Sequence, residues 1–333
     1  LINIVSGEIK NNNERYTITK GTTLFDLDKK WFTKSKGLIT VTNAFTNTFL
    51  FAINDSLESF KGYVSGKIEA GFDGEKVFFN VLDKTELKDF KLDFKGSKHP
   101  LLQNNGLSIK SAIVTLDKKN NVTIDANVLL PDSDLKIRGM ISPKDLNFNI
   151  SNSKINLQSF GPIGGVKIYG SGPIDLKIFG PLNDVRFDFN VDWKKFSVVD
   201  LFFGDVKSHF VLSLSDVILS IDKLSGRYNQ SEFSAFGWLK FGDKSGLDLK
   251  LDFNDTNFSD AKEMYRLVFD GLKIAANYRV YGDYDLENLR VDGTLKGREF
   301  HVFGEDAETA SFNFSLANKS LLFKSFGRKR LNF

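Results

Sequence analysis

Residues 185–193 read Val185-Arg-Phe-Asp-Phe-Asn-Val-Asp-Trp193, and this stretch decides the fold class. Its odd positions are Val185, Phe187, Phe189, Val191 and Trp193; its even positions are Arg186, Asp188, Asn190 and Asp192. A β-strand sends successive side chains to opposite faces, so the stretch predicts one apolar and one wet face. Leu247-Asp-Leu-Lys-Leu-Asp-Phe253 repeats the pattern, as do Phe90-Lys-Leu-Asp-Phe94, Leu146-Asn-Phe-Asn-Ile150 and Phe312-Asn-Phe-Ser-Leu316. Asn-, Asp- and Gly-containing pairs interrupt these runs at short intervals, as hairpin turns do. About 20 strand candidates follow, and with them an all-β chain of antiparallel meanders.

Helices are few in this reading. Residues 257–271 carry Ser259 as an N-cap, Asp260 and Glu263 in a first turn, an apolar stripe of Met264, Leu267 and Val268, and Gly271 as the stop, which predicts a helix over 259–270. Weaker helix candidates are Trp193–Phe203 and Phe25–Lys36.

Composition narrows the function. The chain has 333 residues, 45 basic and 42 acidic side chains, a net charge of +3, and no Cys. So small a charge does not make nucleic acid a partner, and the missing Cys removes disulfide frameworks, thiolate metal sites and cysteine nucleophiles. There are 33 Phe against 8 Tyr and 3 Trp. That excess supplies a wide apolar surface with no hydrogen-bonding edge.

Side chains able to do chemistry are present but isolated in the sequence. His99, His209 and His301 have no metal-ligand spacing and no nucleophile beside them. Asp283, Asp285 and Glu287 alternate as one face of a strand, but lack the glycine and distal glutamate of a calcium loop. Gly161-Pro-Ile-Gly-Gly165 lacks the spacing of a phosphate loop. No convergent titratable cluster emerges, so an enzyme is not expected, and no metal or cofactor either.

One-sided apolar sheets must pack on another sheet, close on themselves, meet lipid or hold an apolar ligand. Here the residues resemble a known family. The run from Val166 to Phe189, with Gly-Ser-Gly-Pro at 170–173 and Phe-Gly-Pro-Leu at 179–182, is similar to the AsmA-like / TamB family, in which a Gly-x-hydrophobic-x-Gly-Pro-Leu phrase recurs between amphipathic strands. Leu224-Ser-Gly-Arg-Tyr followed by Phe233-Ser-Ala-Phe-Gly-Trp238 is similar to that family's glycine-strand unit. The likeness is best over 160–323. Asp184 stands where the family often has Pro, and the 259–270 helix interrupts the strand series.

The resemblance implies a long, strongly twisted antiparallel sheet bent into an open groove (a β-taco), with one or two short helices. It implies one continuous segment over 1–333, with sub-units near 1–160 and 161–333. It also implies a periplasmic bridge that moves phospholipid between inner and outer membranes or assists outer-membrane assembly. Such a protein is anchored to the inner membrane by a segment outside this chain, and its partners are phospholipid acyl chains and proteins of both membranes. At about 4.8 Å per strand, about 20 strands make a trough about 95 Å long. The residues expected to line it are Phe187, Phe189, Val191, Trp193, Leu247, Leu249, Leu251, Phe253, Phe312, Phe314 and Leu316. For each, the competing expectation is a dry sandwich core. Two other functions fit the alternation: an integral outer-membrane β-barrel, against which stand the scarce Tyr and Trp, and a ligand-free β-sandwich surface or adhesin-like protein.

Overall fold

The computed structural model describes residues 2–4, 6–11, 14–26, 31–45, 57–94, 102–161, 167–181, 184–198, 201–213, 215–216, 218–240, 246–257, 259–260, 273–283, 287–302, 305–318 and 320–329. Among them, 21 strands belong to one antiparallel sheet, and the chain is all-β. It divides into two compact units, Leu1–Tyr169 with Pro173–Val185, and Gly170–Gly172 with Arg186–Phe333.

The first unit holds β1 (Ile2–Ile4), β2 (Gly7–Asn11), β3 (Glu14–Asp26), β4 (Trp31–Phe45), β5 (Leu57–Phe72), β6 (Lys76–Val81), β7 (Thr85–Phe94), β8 (Leu102–Asp117), β9 (Val122–Leu130), β10 (Ser133–Ile141) and β11 (Asp145–Asn156), with most of β12 (Ile168–Pro181). Strands β6 and β7 lie end to end between β5 and β8, each pairing with both. The second unit holds β13 (Arg186–Val198), β14 (Leu201–Ser213), β15 (Ile218–Tyr228), β16 (Ser231–Lys240), β17 (Gly246–Asn257), β18 (Lys273–Gly282), β19 (Arg290–Val302), β20 (Glu305–Ala317) and β21 (Ser320–Lys329). Each pairs with the next in sequence, as an antiparallel meander does.

Turn chemistry follows the sequence. Asn120, Asp132, Asn229 and Asn318 take left-handed φ at the hairpin ends, a conformation that Asn and Asp tolerate better than other side chains. At residues 117–121, the Asp117 carboxylate accepts from the Lys119 and Asn121 amides and from Asn121 Nδ2, and these bonds hold its carboxyl below the usual range.

Left-handed residues also occur inside strands, at Asn43, Asp89, Asn152, Lys195 and Glu299. Ladders β4–β5, β10–β11 and β13–β14 shift register beside Asn43, Asn152 and Lys195 respectively, and β5–β7 shifts beside Asp89, so each of these four marks an extra residue; at Glu299 the β19–β20 ladder keeps its register. Such bulges bend the strand. Neighbouring strands capture the displaced groups. Asn43 N–H donates to Ser65 Oγ (3.0 Å), Lys136 N–H to Ser153 Oγ (2.9 Å) and Lys195 N–H to Asp205 Oδ1 (3.2 Å). The Lys194 ammonium, 2.7 Å from Asp205 Oδ2, is the main reason the Asp205 carboxyl sits below its ordinary value.

Two expected helices are strands at their described residues, and a bulge accounts for the first. Trp193–Phe203 is not a helix but the end of β13 and the start of β14, and Phe25–Lys36 falls on β3 and β4 around residues 27–30, which lie outside the described set. An extra residue at Lys195 shifts the alternation by one, so Phe196 follows Trp193 onto the same side, and the run loses its strand-like period. Of the helix expected over 259–270, Ser259 and Asp260 are helical and the remainder lies outside the described residues. A 3₁₀ turn at Leu157–Phe160, not expected from sequence, is capped by Asn156.

The two units share a local device. In each, the first residue after a hairpin turn is a buried serine, Ser133 or Ser231. Its Oγ accepts the backbone N–H of the asparagine that ends the next strand, Asn156 (2.8 Å) or Asn257 (3.0 Å), just before helical residues. In the second unit Ser231 Oγ also donates to the buried Asp260 carboxylate (2.5 Å), which accepts from Asn229 Nδ2 (2.9 Å) as well.

Candidate functional site

Cross-strand register places all eleven sequence-predicted groove residues on one face of the second unit. The first row crosses the strands as Trp193, Val206, Gly226, Phe233, Phe253, Ala276, Leu295 and Phe312. The next is Val191, Ser208, Leu224, Ala235, Leu251, Tyr278, Gly293 and Phe314. A third holds Phe189, Leu249 and Leu316, and a fourth Phe187 and Leu247, with apolar or glycine partners between them on the intervening strands. Burial grades across the rows. The first is closed over: Val206 is 1% exposed and Phe253 3%. In the third and fourth, Phe187, Phe189, Leu249 and Leu316 are half-buried, while Phe210, Ile221 and Leu247 are buried like the first row. The closed row runs beside the bulges that follow Trp193 and Phe253, so it occupies the crease where the strands bend.

An unbroken series of aromatic rings follows this crease. Trp193, Phe196, Phe203, Phe233, Phe253, Tyr278 and Phe314 have successive centroids 5.6, 5.7, 6.3, 5.2, 5.9 and 6.4 Å apart. The series steps over β15 and β19 because glycine stands there. A Cβ on Gly226 would overlap the Phe233 ring, and one on Gly293 would press on Tyr278 and Phe314. Burial raises the Tyr278 phenol above its ordinary pKa, since the ionised form loses its hydration there. Sequence reasoning missed Phe196, Phe203, Phe233 and Tyr278. Phe233 is disguised because Phe236 and Trp238, on the opposite face of β16, are also large and are 50% and 39% exposed. Phe196 and Phe203 are disguised by the bulge.

The first unit carries a comparable face, which clean alternation advertises only in part, at Leu146, Phe148 and Ile150 of β11. Its rows run Ile39, Ile68, Val81, Ala112, Ala126, Ile137 and Ile150, and Gly37, Ala70, Phe79, Val114, Ile124, Gly139 and Phe148, across β4, β5, β6 and β8–β11. Most of these side chains are only half-buried, and Phe79 and neighbouring Leu116 on the same face are 41% and 37% exposed. Large apolar residues sealed in an interior do not look like this.

The opposite faces carry charge pairs, with Ile113, Met140, Phe236 and Trp238 exposed among them. Arg279 grips Asp248 with two nitrogens (2.7 and 2.5 Å), and Lys207 meets Asp192 at 3.0 Å. His209 lies between two carboxylates from flanking strands, with Nε2 3.0 Å from Asp188 Oδ1 and Nδ1 2.6 Å from Asp222 Oδ2. Asp188 first, then Asp222, raises its pKa above the usual imidazole value. The two carboxylates meet opposite ring nitrogens and so cannot share one ion with it. Among the described residues no group of His, Cys, Asp and Glu could hold a metal. His99 lies outside the described residues, and His301 is on β19. The carboxylate trio does not form one strand face: β18 ends at Gly282, where φ is 113°, Glu287 lies in a turn, and Asp285 is outside the described residues. No helix among the described residues is long and apolar enough to cross a membrane.

No protein-family model, curated protein or solved structure matches this chain.

Proposed function

We propose that the apolar faces of the two units hold lipid acyl chains, and that the chain is a lipid-conducting β-groove segment. One observation carries the reading: in each unit a face of seven or more strands is apolar in register, yet much of it stays half open to solvent, as at Phe79 and Leu116. Leaving such a surface in water is costly, and monomeric proteins rarely expose large contiguous apolar patches without an occupant. Hydrocarbon suits it. Each buried methylene contributes about 0.8 kcal/mol without any hydrogen bond. Apolar rows that cross strand after strand let a chain shift along the face without leaving an apolar environment.

The similarity to AsmA-like / TamB sequences supports placing this segment in the periplasm, moving phospholipid between the inner and outer membranes or assisting outer-membrane assembly. Under this reading proteins of both membranes are its partners and an inner-membrane anchor lies outside this chain. Native mass spectrometry of protein purified without detergent tests the proposal. Bound diacyl phospholipid is expected, and its loss is expected on replacing Phe189 with Asp while the protein stays folded. A lipid-free protein that also fails to take up phospholipid from vesicles would overturn it.

A further inference from the structure

Trp193 sits in the crease with 6% of its surface exposed, and its indole Nε1 is buried with no hydrogen-bond partner. Thr256 Oγ1, beside the bulge after Phe253, is buried and unpartnered as well, in a residue 1% exposed. A buried polar atom left unpaired costs about 1–3 kcal/mol, so natural proteins keep few of them without a reason. The indole N–H can only donate, so what is missing at Trp193 is an acceptor. Water is a poor candidate: a buried water needs two to four polar partners. Val206 opposite it on β14, the neighbouring ring Phe196 and Gly172, which lies against its backbone from β12, offer none from their side chains.

We propose that Trp193 Nε1–H is a polar station in the lipid path that donates to the ester carbonyl of a diacyl glycerolipid. The proposal rests on the groove reading above and adds a chemical preference to it: the cargo carries hydrogen-bond acceptors where its chains join, and is not a bare hydrocarbon. Phe196, half-buried and next in the ring series, is the group that turns aside to admit the carbonyl. Trp193 is a specificity residue here, since the neighbouring rings bind chains whether or not an ester is present.

Two lipids with identical chains and headgroup separate the cases, one ester-linked and one ether-linked. The chain has three Trp, so its indole N–H signals in a ¹H–¹⁵N spectrum are few, and Trp193→Phe assigns the one in question. The diester is expected to move the Trp193 N–H signal downfield, and the diether is not. In competition the diester should bind about two- to tenfold tighter, the range of one net hydrogen bond. Trp193→Phe should abolish that preference while keeping diether binding. Equal binding of both lipids by the unaltered protein, or an unmoved Trp193 signal with the diester bound, overturns the station and leaves the groove reading standing. If neither lipid binds, the groove reading itself fails. The spectrum of the unaltered protein decides even if the variant does not fold.

Discussion

Phe79→Ala and Phe253→Ala, made separately, test whether the apolar faces are open surfaces or a sealed core. Phe253 is 3% exposed and stacks between Phe233 and Tyr278 at 5.2 and 5.9 Å. Truncating so enclosed a ring removes its transfer energy and leaves a cavity, at a cost of about 3–5 kcal/mol. Phe79 lies on the matching face of the first unit but keeps 41% of its surface in water. Only about six-tenths of a transfer term of about 1.5–3 kcal/mol is at stake there, and no closed cavity forms, so its loss should cost about 1–2 kcal/mol. Urea unfolding of delipidated protein measures both, with the slope checked for a constant denatured state. Adding phospholipid at about 100 times its dissociation constant should raise the stability of the unaltered protein by about 2.7 kcal/mol. Phe79→Ala should weaken that gain by binding lipid less well. Equal costs for the two truncations in lipid-free protein would mean Phe79 is sealed in solution, and the open-face argument would be wrong.

His209 should make stability pH-dependent. Asp188 and Asp222 raise its folded pKa above the unfolded value of about 6.5, so the charged form is the favoured one in the fold. Its contribution is fully present below about pH 6.5 and fades as pH rises through the higher folded value. His209→Gln should flatten a melting profile taken between pH 5 and 9, and an unchanged profile would remove the residue from the argument. Gly226→Ala should destabilise by about 1–3 kcal/mol, because its Cβ meets the Phe233 ring. Phe233→Leu in the same background should recover part of the loss, and a double-mutant cycle without coupling would contradict the packing. Ser231→Ala should cost about 2–3 kcal/mol in urea unfolding. It strips the Asn257 amide of its acceptor and a donor from the buried Asp260, whereas Ser133→Ala, with no carboxylate to satisfy, should cost less.

How much of this was legible in the sequence depends on where the chain alternates cleanly. Phe187 to Trp193, Leu247 to Phe253 and Phe312 to Leu316 announce both a strand and the face each residue takes, because a two-residue period has only two faces to offer. Hairpin turns at Asn120 and Asn229 are equally local, since the side chain bonds its own neighbouring backbone or tolerates left-handed φ. The first unit's face was legible only at Leu146, Phe148 and Ile150. Its rows mix Gly37, Ala70, Ala112 and Gly139 with the large residues, and these small side chains carry no strong pattern by themselves.

Composition and alternation thus determined that this chain is all-β with one greasy side per strand. Only the tertiary structure decided which greasy sides line up, where the strands bend, and that seven rings run unbroken from Trp193 to Phe314. The reason is physical. Alternation is written between adjacent residues, but register and bulges are set by hydrogen bonds to another strand, up to 27 positions away across β13 and β14, and one extra residue such as Lys195 shifts the parity of all that follow in its strand.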